Sequence, residues 1–114
     1  MKKIIAVFIT ILLSSTNAQN IPVSLHGQYS LEVDNTYSLP TLKIECKRLA
    51  ARIAIKAYLM IMNPEMMEVE EDVISCIYDE LLNVEVVEQT IENNVLLTRV
   101  IASTYSNLMN PCLP

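Results

Sequence analysis

Glycine is almost absent from this chain of 114 residues, in which Gly27 is the single one. Loops that cradle phosphate groups need several glycines, so nucleotide-binding motifs of that kind are excluded. A turn-rich all-β sandwich is disfavoured for the same reason. The length limits the chain to one small domain, and a hydrophobic fraction of 52% is too high for a disordered protein.

Side chains for catalysis are also scarce, since the chain has one histidine and no tryptophan. His26 lies beside Gly27 in a segment with weak structural signals, where nothing would hold it against a nucleophile. Carboxylates are frequent between Glu65 and Glu92, but the run Glu70-Glu71-Asp72 is typical of a solvated face. We therefore predict that the protein is not an enzyme and has no catalytic, cofactor-binding or metal-ligating residues.

The first 18 residues have the pattern of a secretory signal peptide. Two lysines precede an apolar run over residues 4–13, and the small residues Thr16 and Ala18 occupy the positions that signal peptidase reads. A membrane span needs about 20 apolar residues, which is about twice the length of this run. The sequence therefore predicts a secreted, extracellular protein that is cleaved before Gln19.

The charge is negative and unevenly distributed. Without the leader, six basic and 13 acidic residues remain, which makes nucleic acid an unsuitable partner. Five of the six basic residues lie between Lys43 and Lys56, whereas the stretch from Glu65 to Glu92 holds ten acidic residues and no basic one. We expect these segments to neutralise each other within the fold. The alternative is a basic amphipathic helix that contacts anionic membranes.

The region after residue 40 shows helical periodicity. A first helix is predicted over Thr41–Met62, and Asn63-Pro64 ends it. A second helix follows at once, with Asn63 as its cap and Pro64 in its first turn. The first helix carries two apolar stripes on roughly opposite sides, which indicates a central position in a bundle or an interface shared with another subunit.

The last third has more than one interpretation. Residues 84–109 fit one helix, or two helices separated at Asn93-Asn94, while the β-branched residues between Val95 and Tyr105 also fit a strand. We favour helices, and therefore predict an all-α fold with a small bundle of three or four helices. The predicted organisation is a signal peptide (1–18), an irregular, extended N-terminal arm (19–40) and a helical domain (41–114).

Three cysteines in a secreted chain predict one internal disulfide and one remaining thiol. In an antiparallel pair of helices, the positions of Cys46 and Cys76 along the helix axes differ by about 7 Å. An offset of this size is marginal for a disulfide. Four alternating helices bring Cys112 back to the end of the domain that holds Cys46, so that pair is credible. All three cysteines are therefore disulfide candidates with open connectivity. The remaining thiol either links another chain or stays buried.

A shared interface is predicted on the second apolar stripe of the first helix. Its side chains cannot all be covered if one neighbour packs on the opposite stripe, and exposed patches of this kind mark interfaces. Cys112 lies on a short C-terminal tail and is best placed to link two chains. We therefore expect a dimer with a self or related chain, partly disulfide-linked. The interface candidates are Ile44, Ile55, Tyr58 and Met62.

In layout, the segment Thr41–Pro114 is similar to secretoglobins, which are small, secreted, mostly helical proteins with few cysteines, one of them near the C-terminus (here Cys112). It is equally similar to small helical proteins that insect accessory glands release into seminal fluid. The first resemblance implies a carrier of a small apolar ligand. The second implies a secreted product that binds a protein partner or receptor, which is the function we expect. A membrane-active toxin or defence protein is a further alternative.

Cleavage before Gln19 is directly testable by intact-mass measurement of the secreted protein. The expected mass is that of residues 19–114, or that mass less one ammonia where the new N-terminal glutamine has cyclised. A secreted form that keeps residues 1–18 would contradict both the cleavage site and the predicted localisation.

Overall fold

The computed structural model describes residues 20–65 and 68–114, and the predicted signal peptide lies outside them. In these residues a three-stranded antiparallel sheet lies against a long helix, so the predicted all-α bundle is wrong. The elements are β1 (Pro22–Glu32), α1 (Leu39–Met62), α2 (Glu71–Asp79), β2 (Asn83–Glu92), β3 (Val95–Tyr105), α3 (Ser106–Met109) and a closing 3₁₀ turn (Asn110–Cys112).

The segment expected to be an irregular arm contains the first strand. β1 pairs antiparallel with β3 along its whole length, from Pro22 opposite Tyr105 to Glu32 opposite Val95. Successive side chains of a strand point to opposite faces, and Leu25 is buried beneath α1 whereas His26 is exposed. The partner strand lies more than sixty residues away in the sequence, so the pattern of residues within β1 does not predict this pairing.

The predicted first helix is confirmed as α1. Its N-cap is Ser38, whose side-chain oxygen accepts a hydrogen bond from the Thr41 backbone N–H at 3.4 Å. Pro40 lies in the first turn, where its missing N–H costs nothing. At the other end the Asn63 backbone N–H donates to the Leu59 carbonyl at 3.0 Å, which closes the helix.

The second helix begins later than predicted. Asn63 serves as the C-cap of α1 and does not cap a new helix, and α2 starts only at Glu71. The carboxylates of Glu71 and Asp72 lie in its first turn, where they complement the positive end of the helix. Ile74 and Ile77 of α2 are buried in the main core cluster together with Ile55 and Leu59 of α1, while Tyr58 packs against it. The part of the second apolar stripe of α1 that contains Ile55 and Tyr58 is therefore covered within the chain.

The last third is a β-hairpin, so the helical interpretation of residues 84–109 is wrong. β2 and β3 are joined by Asn93 and Asn94, whose φ angles are 53° and 62°. Positive φ at both central residues is the geometry of a type I′ turn, whose twist matches that of the flanking strands. Asparagine tolerates this left-handed conformation better than most residues do.

The sheet has the strand order β1-β3-β2, with β3 in the centre. The helix α1 packs on β1 and β3, so β2 lies beside the helix and not beneath it. One row of β3 side chains is fully or almost fully buried under the helix: Leu96, Thr98, Val100, Ala102 and Thr104. In the described part of the chain, no helix combines the length and the apolar character of a membrane span.

The close approach of α1 to the sheet depends on Gly27. A Cβ atom at this position would lie 2.3 Å from the Ala50 carbonyl oxygen and 2.7 Å from the Ala54 Cβ. Both distances are far below van der Waals contact, and one of the atoms belongs to the rigid helix backbone. The small side chains of Ala50 and Ala54 complete the contact on the helix side.

The resemblance to secretoglobins and to helical accessory-gland proteins depended on an all-helical layout. The sheet removes the basis of both likenesses, because about a third of the compared segment forms the β2–β3 hairpin.

Gly27→Ala should destabilise the fold. At an unobstructed strand position this change stabilises a protein by about 0.4–1 kcal/mol, because alanine restricts the unfolded chain. Here the added methyl group must displace α1, and overpacking of this kind costs about 1–3 kcal/mol. The sign of the change in the free energy of unfolding, measured with urea, decides the matter. Gln28→Ala, on the exposed face of the same strand, is the control and should have little effect. An alanine variant as stable as the wild type would contradict the packing.

Candidate functional site

The outer edge of β2 is the most distinctive surface of the fold. In residues 20–65 and 68–114 this strand pairs with β3 alone, so its other side faces outward. A free strand edge presents backbone donors and acceptors in a row, which is a template for a further strand. We call the outward side of Asn83–Glu92, with the side chains on its two faces, the β2 edge.

The register assigns the apolar side chains of β2 to the face that α1 occupies. Val86 and Ile91 lie opposite Val100 and Leu96, which are both fully buried under the helix. Residues directly opposite each other in a sheet share a face. Yet Val86 is 37% exposed and Ile91 is 46% exposed, because α1 does not extend over β2. The β2 edge therefore has an uncovered apolar row beside the helix.

The opposite face of β2 carries a row of carboxylates. Glu85, Glu88 and Glu92 lie opposite residues of β3 that point away from the helix. Glu88 forms an ion pair with Arg99 at 3.2 Å, directly across the strands. Glu85 and Glu92, on either side of this pair, have no ion pair in the described residues. Two free negative charges thus frame the pair along the edge.

A β-bulge keeps the apolar row and the carboxylate row on opposite faces along the whole of β2. The register shifts between Val86 and Glu88, which leaves Val87 as an extra residue without a partner on β3. One extra residue restores the apolar side chains to the helix side after the bulge. Further along, the Gln89 side-chain amide donates to the Thr98 hydroxyl at 3.0 Å and anchors the strand.

The flank of α1 beside β2 is basic. Ala51 is fully buried in a cluster against which Val84 of β2 packs, so this flank of the helix looks toward β2. Lys47 and Lys43 precede Ala51 by one and two helical turns and continue the same flank. Helical spacing therefore puts Lys47 and Lys43 on the side of α1 nearer to β2, while the carboxylates lie on the other face of the strand.

Both arginines of α1 form ion pairs within the fold. Arg52 bonds to the carboxylate of Glu71 and, at 3.3 Å, to the hydroxyl of Ser75, which joins α1 to the acidic α2. In the described residues this is the one ion pair between the basic segment and the acidic segment, whose mutual neutralisation stays a prediction. Arg48 pairs with Glu45 on its own helix, with an Nε–Oε2 distance of 3.0 Å. These hydrogen bonds lower the pKa of Glu45 and raise that of Arg48.

The disulfide does not join Cys46 to Cys112, the pair that the predicted helices favoured. Cys76 and Cys112 form the disulfide, with a Cα–Cα distance of 5.6 Å, and attach the C-terminal turn to α2. Cys112 is therefore held within the chain and not free on a tail. Cys46 is a free, buried thiol that donates to the Tyr29 carbonyl at 3.2 Å. The expected connectivity assumed alternating helices, whereas Cys46 faces the sheet.

The predicted interface residues are not brought together on one exposed surface. Ile55 is fully buried and Tyr58 is half-buried against the core, because α2 covers this side of α1. Ile44 and Met62 are exposed, at 72% and 60%, near opposite ends of the helix.

In ranges 20–65 and 68–114, no group of three or more histidine, cysteine, aspartate or glutamate residues is placed to hold a metal ion. His26 is exposed on β1. No protein-family model, curated protein or solved structure matches this chain.

Sequence reasoning missed the β2 edge because it treated this segment as helix. A signal was present: Val84, Glu85 and Val86 alternate, and two asparagines separate two segments rich in β-branched residues. The bulge at Val87 interrupts the alternation and conceals the strand.

Removing the disulfide should lower stability strongly. Its cysteines are 36 residues apart, and closing a loop of that size stabilises by about 4 kcal/mol in the chain-entropy model. Urea unfolding of the Cys76→Ser, Cys112→Ser double variant measures this loss, and reductant should reproduce it in the wild type but not add to it in the variant. Peptide mapping that finds Cys46 in a disulfide would contradict the connectivity.

Proposed function

We propose that this chain is an extracellular, non-enzymatic binding protein that holds an extended segment of a protein partner against the β2 edge. The observation that carries the proposal is the position of β2, an edge strand that α1 leaves uncovered. A segment that adds to the sheet gains backbone hydrogen bonds from the strand and side-chain contacts from both faces.

The ladder geometry supports this mode of binding. Glu92 and Val95 close the two-residue turn, and in an antiparallel ladder hydrogen-bonded pairs alternate with pairs that are not bonded. Ile91 and Gln89 therefore direct their backbone N–H and C=O groups away from β3. The added strand would bond to these groups and cover the exposed side chains of Val86 and Ile91.

Secretion is supported by two independent features. The leader over residues 1–18 has the pattern of a signal peptide, and the chain pairs Cys76 with Cys112. Disulfides form and persist in oxidising compartments, of which the secretory route is the usual one. The partner would then be an extracellular protein or receptor.

The carrier of a small apolar ligand remains the second candidate, since one groove favours it. An open groove of about 560 Å³ lies beside the start of α1, with Leu31 and Leu42 on its floor and Tyr37 and Ile44 at its rim. Saturable displacement of a fluorescent apolar probe, abolished by Leu42→Glu, would support this function over strand addition.

A dimer through the exposed Ile44 and Met62 also remains a prediction, now without a link through Cys112. Light scattering at micromolar concentration tests it. The membrane-active alternative loses much of its support, because Arg48 and Arg52 are engaged in ion pairs within the fold.

Strand addition is tested by NMR titration with extended peptides that match β2 in length and alternate valine with threonine, lysine or glutamate. Methylation of the backbone nitrogen at every second residue removes the hydrogen-bond donors from one edge of each peptide, so the peptides do not associate with one another along that edge. We expect at least one peptide to shift the amide signals of Gln89 and Ile91 and to slow their exchange with solvent. If no peptide affects β2 amides, the proposed function is wrong.

Two variants at one position provide the matched control. Gln89→Pro removes an outward N–H and should weaken peptide binding by about tenfold. Gln89→Ala loses the same side-chain bond to Thr98 but keeps the N–H, and should bind like the wild type. Equal binding by both variants would contradict backbone pairing at this edge.

A further inference from the structure

We infer that the partner segment alternates apolar and basic residues, with the basic side chains on the carboxylate face of β2; this inference rests on the proposed function. The apolar row and the carboxylate row lie on opposite faces of one strand. An added strand presents its own alternate side chains to these two faces, so its sequence has to match both rows.

The helix side of the β2 edge selects apolar side chains. Val86 and Ile91 are partly exposed there, and a neighbouring strand would place its side chains about 4.8 Å away, over both of them. By helical spacing from Ala51, Lys43 and Lys47 lie on the side of α1 nearer to β2. Basic residues of the partner are disfavoured on this face because the lysines would repel them.

The other face selects basic side chains. Glu88 is already paired with Arg99, but Glu85 and Glu92 carry free charges on either side of it. A lysine or arginine directly across from each of these carboxylates forms a favourable cross-strand pair. Acidic residues on the same face would be repelled, so the two faces together define both the composition and the facing of the bound segment.

A second copy of β2 does not fit this edge. Two β2 strands paired antiparallel, with the helix sides on one face, would bring one carboxylate row beside the other. Like charges opposite each other destabilise a sheet. The carboxylate row therefore protects the edge from self-association while leaving it open to a basic segment.

The three alternating peptides distinguish the possibilities by their dissociation constants in the same titration. The valine–lysine peptide should bind about tenfold more tightly than the valine–threonine peptide, and the valine–glutamate peptide should bind most weakly. In the Glu85→Lys, Glu92→Lys variant the order should invert. A β2-mediated dimer of the wild-type protein, detected by light scattering and abolished by Gln89→Pro, would overturn the inference.

The acidic net charge of the chain requires a matched control. Glu65→Lys with Asp79→Lys makes the same change of charge at exposed positions outside β2, and should keep the preference for the valine–lysine peptide. If both double variants lose the preference equally, general attraction explains it and the inference is wrong. If valine–threonine and valine–lysine peptides bind β2 equally, the charge selection fails while strand addition stands. If no peptide reaches β2, the proposed function fails as well.

Discussion

The backbone of β1 meets the backbone of α1 at Gly27, where no side chain separates them. A Cβ there would lie within 2.3 Å of the Ala50 carbonyl oxygen, so the position requires the one residue that lacks it. This contact draws the helix over β1 and the central strand, and it fixes the buried face of the sheet. The single glycine of the chain thus acts through close packing, since its φ is not positive.

The placement of α1 has a consequence at the other side of the sheet. One helix cannot cover three strands fully, and a helix drawn to β1 leaves β2 beside it. Residues of β2 whose partners on β3 are fully buried, such as Val86 and Ile91, therefore remain partly exposed. The position of α1 on β1 and β3 therefore leaves the edge of β2 free. This edge has carboxylates on one face and lies beside the lysine-bearing side of α1.

The sequence allowed α1 to be predicted because its signals are local: the periodicity and the Asn63-Pro64 stop lie within the helix or directly after it. The sheet could not be predicted in this way. β1 finds its partner far along the chain, and β3 is apolar on both faces, which resembles a buried helix. The expected cysteine pairing was wrong for the same reason, because the predicted helices put Cys46 near Cys112 and not against the sheet. The carboxylates of β2 form one row only through the strand register, which no local pattern reveals.

Hydrogen exchange of the backbone amides in the free protein tests the central claim most directly. With α1 on β1 and β3, and β2 at the edge, the amides of β3 should exchange slowly throughout. In β2 they should alternate after the bulge, with Thr90 and Glu92 protected and Gln89 and Ile91 exchanging quickly. Uniform protection along β2 would show that its outer edge is already covered, and helical protection across residues 84–109 would contradict the sheet itself.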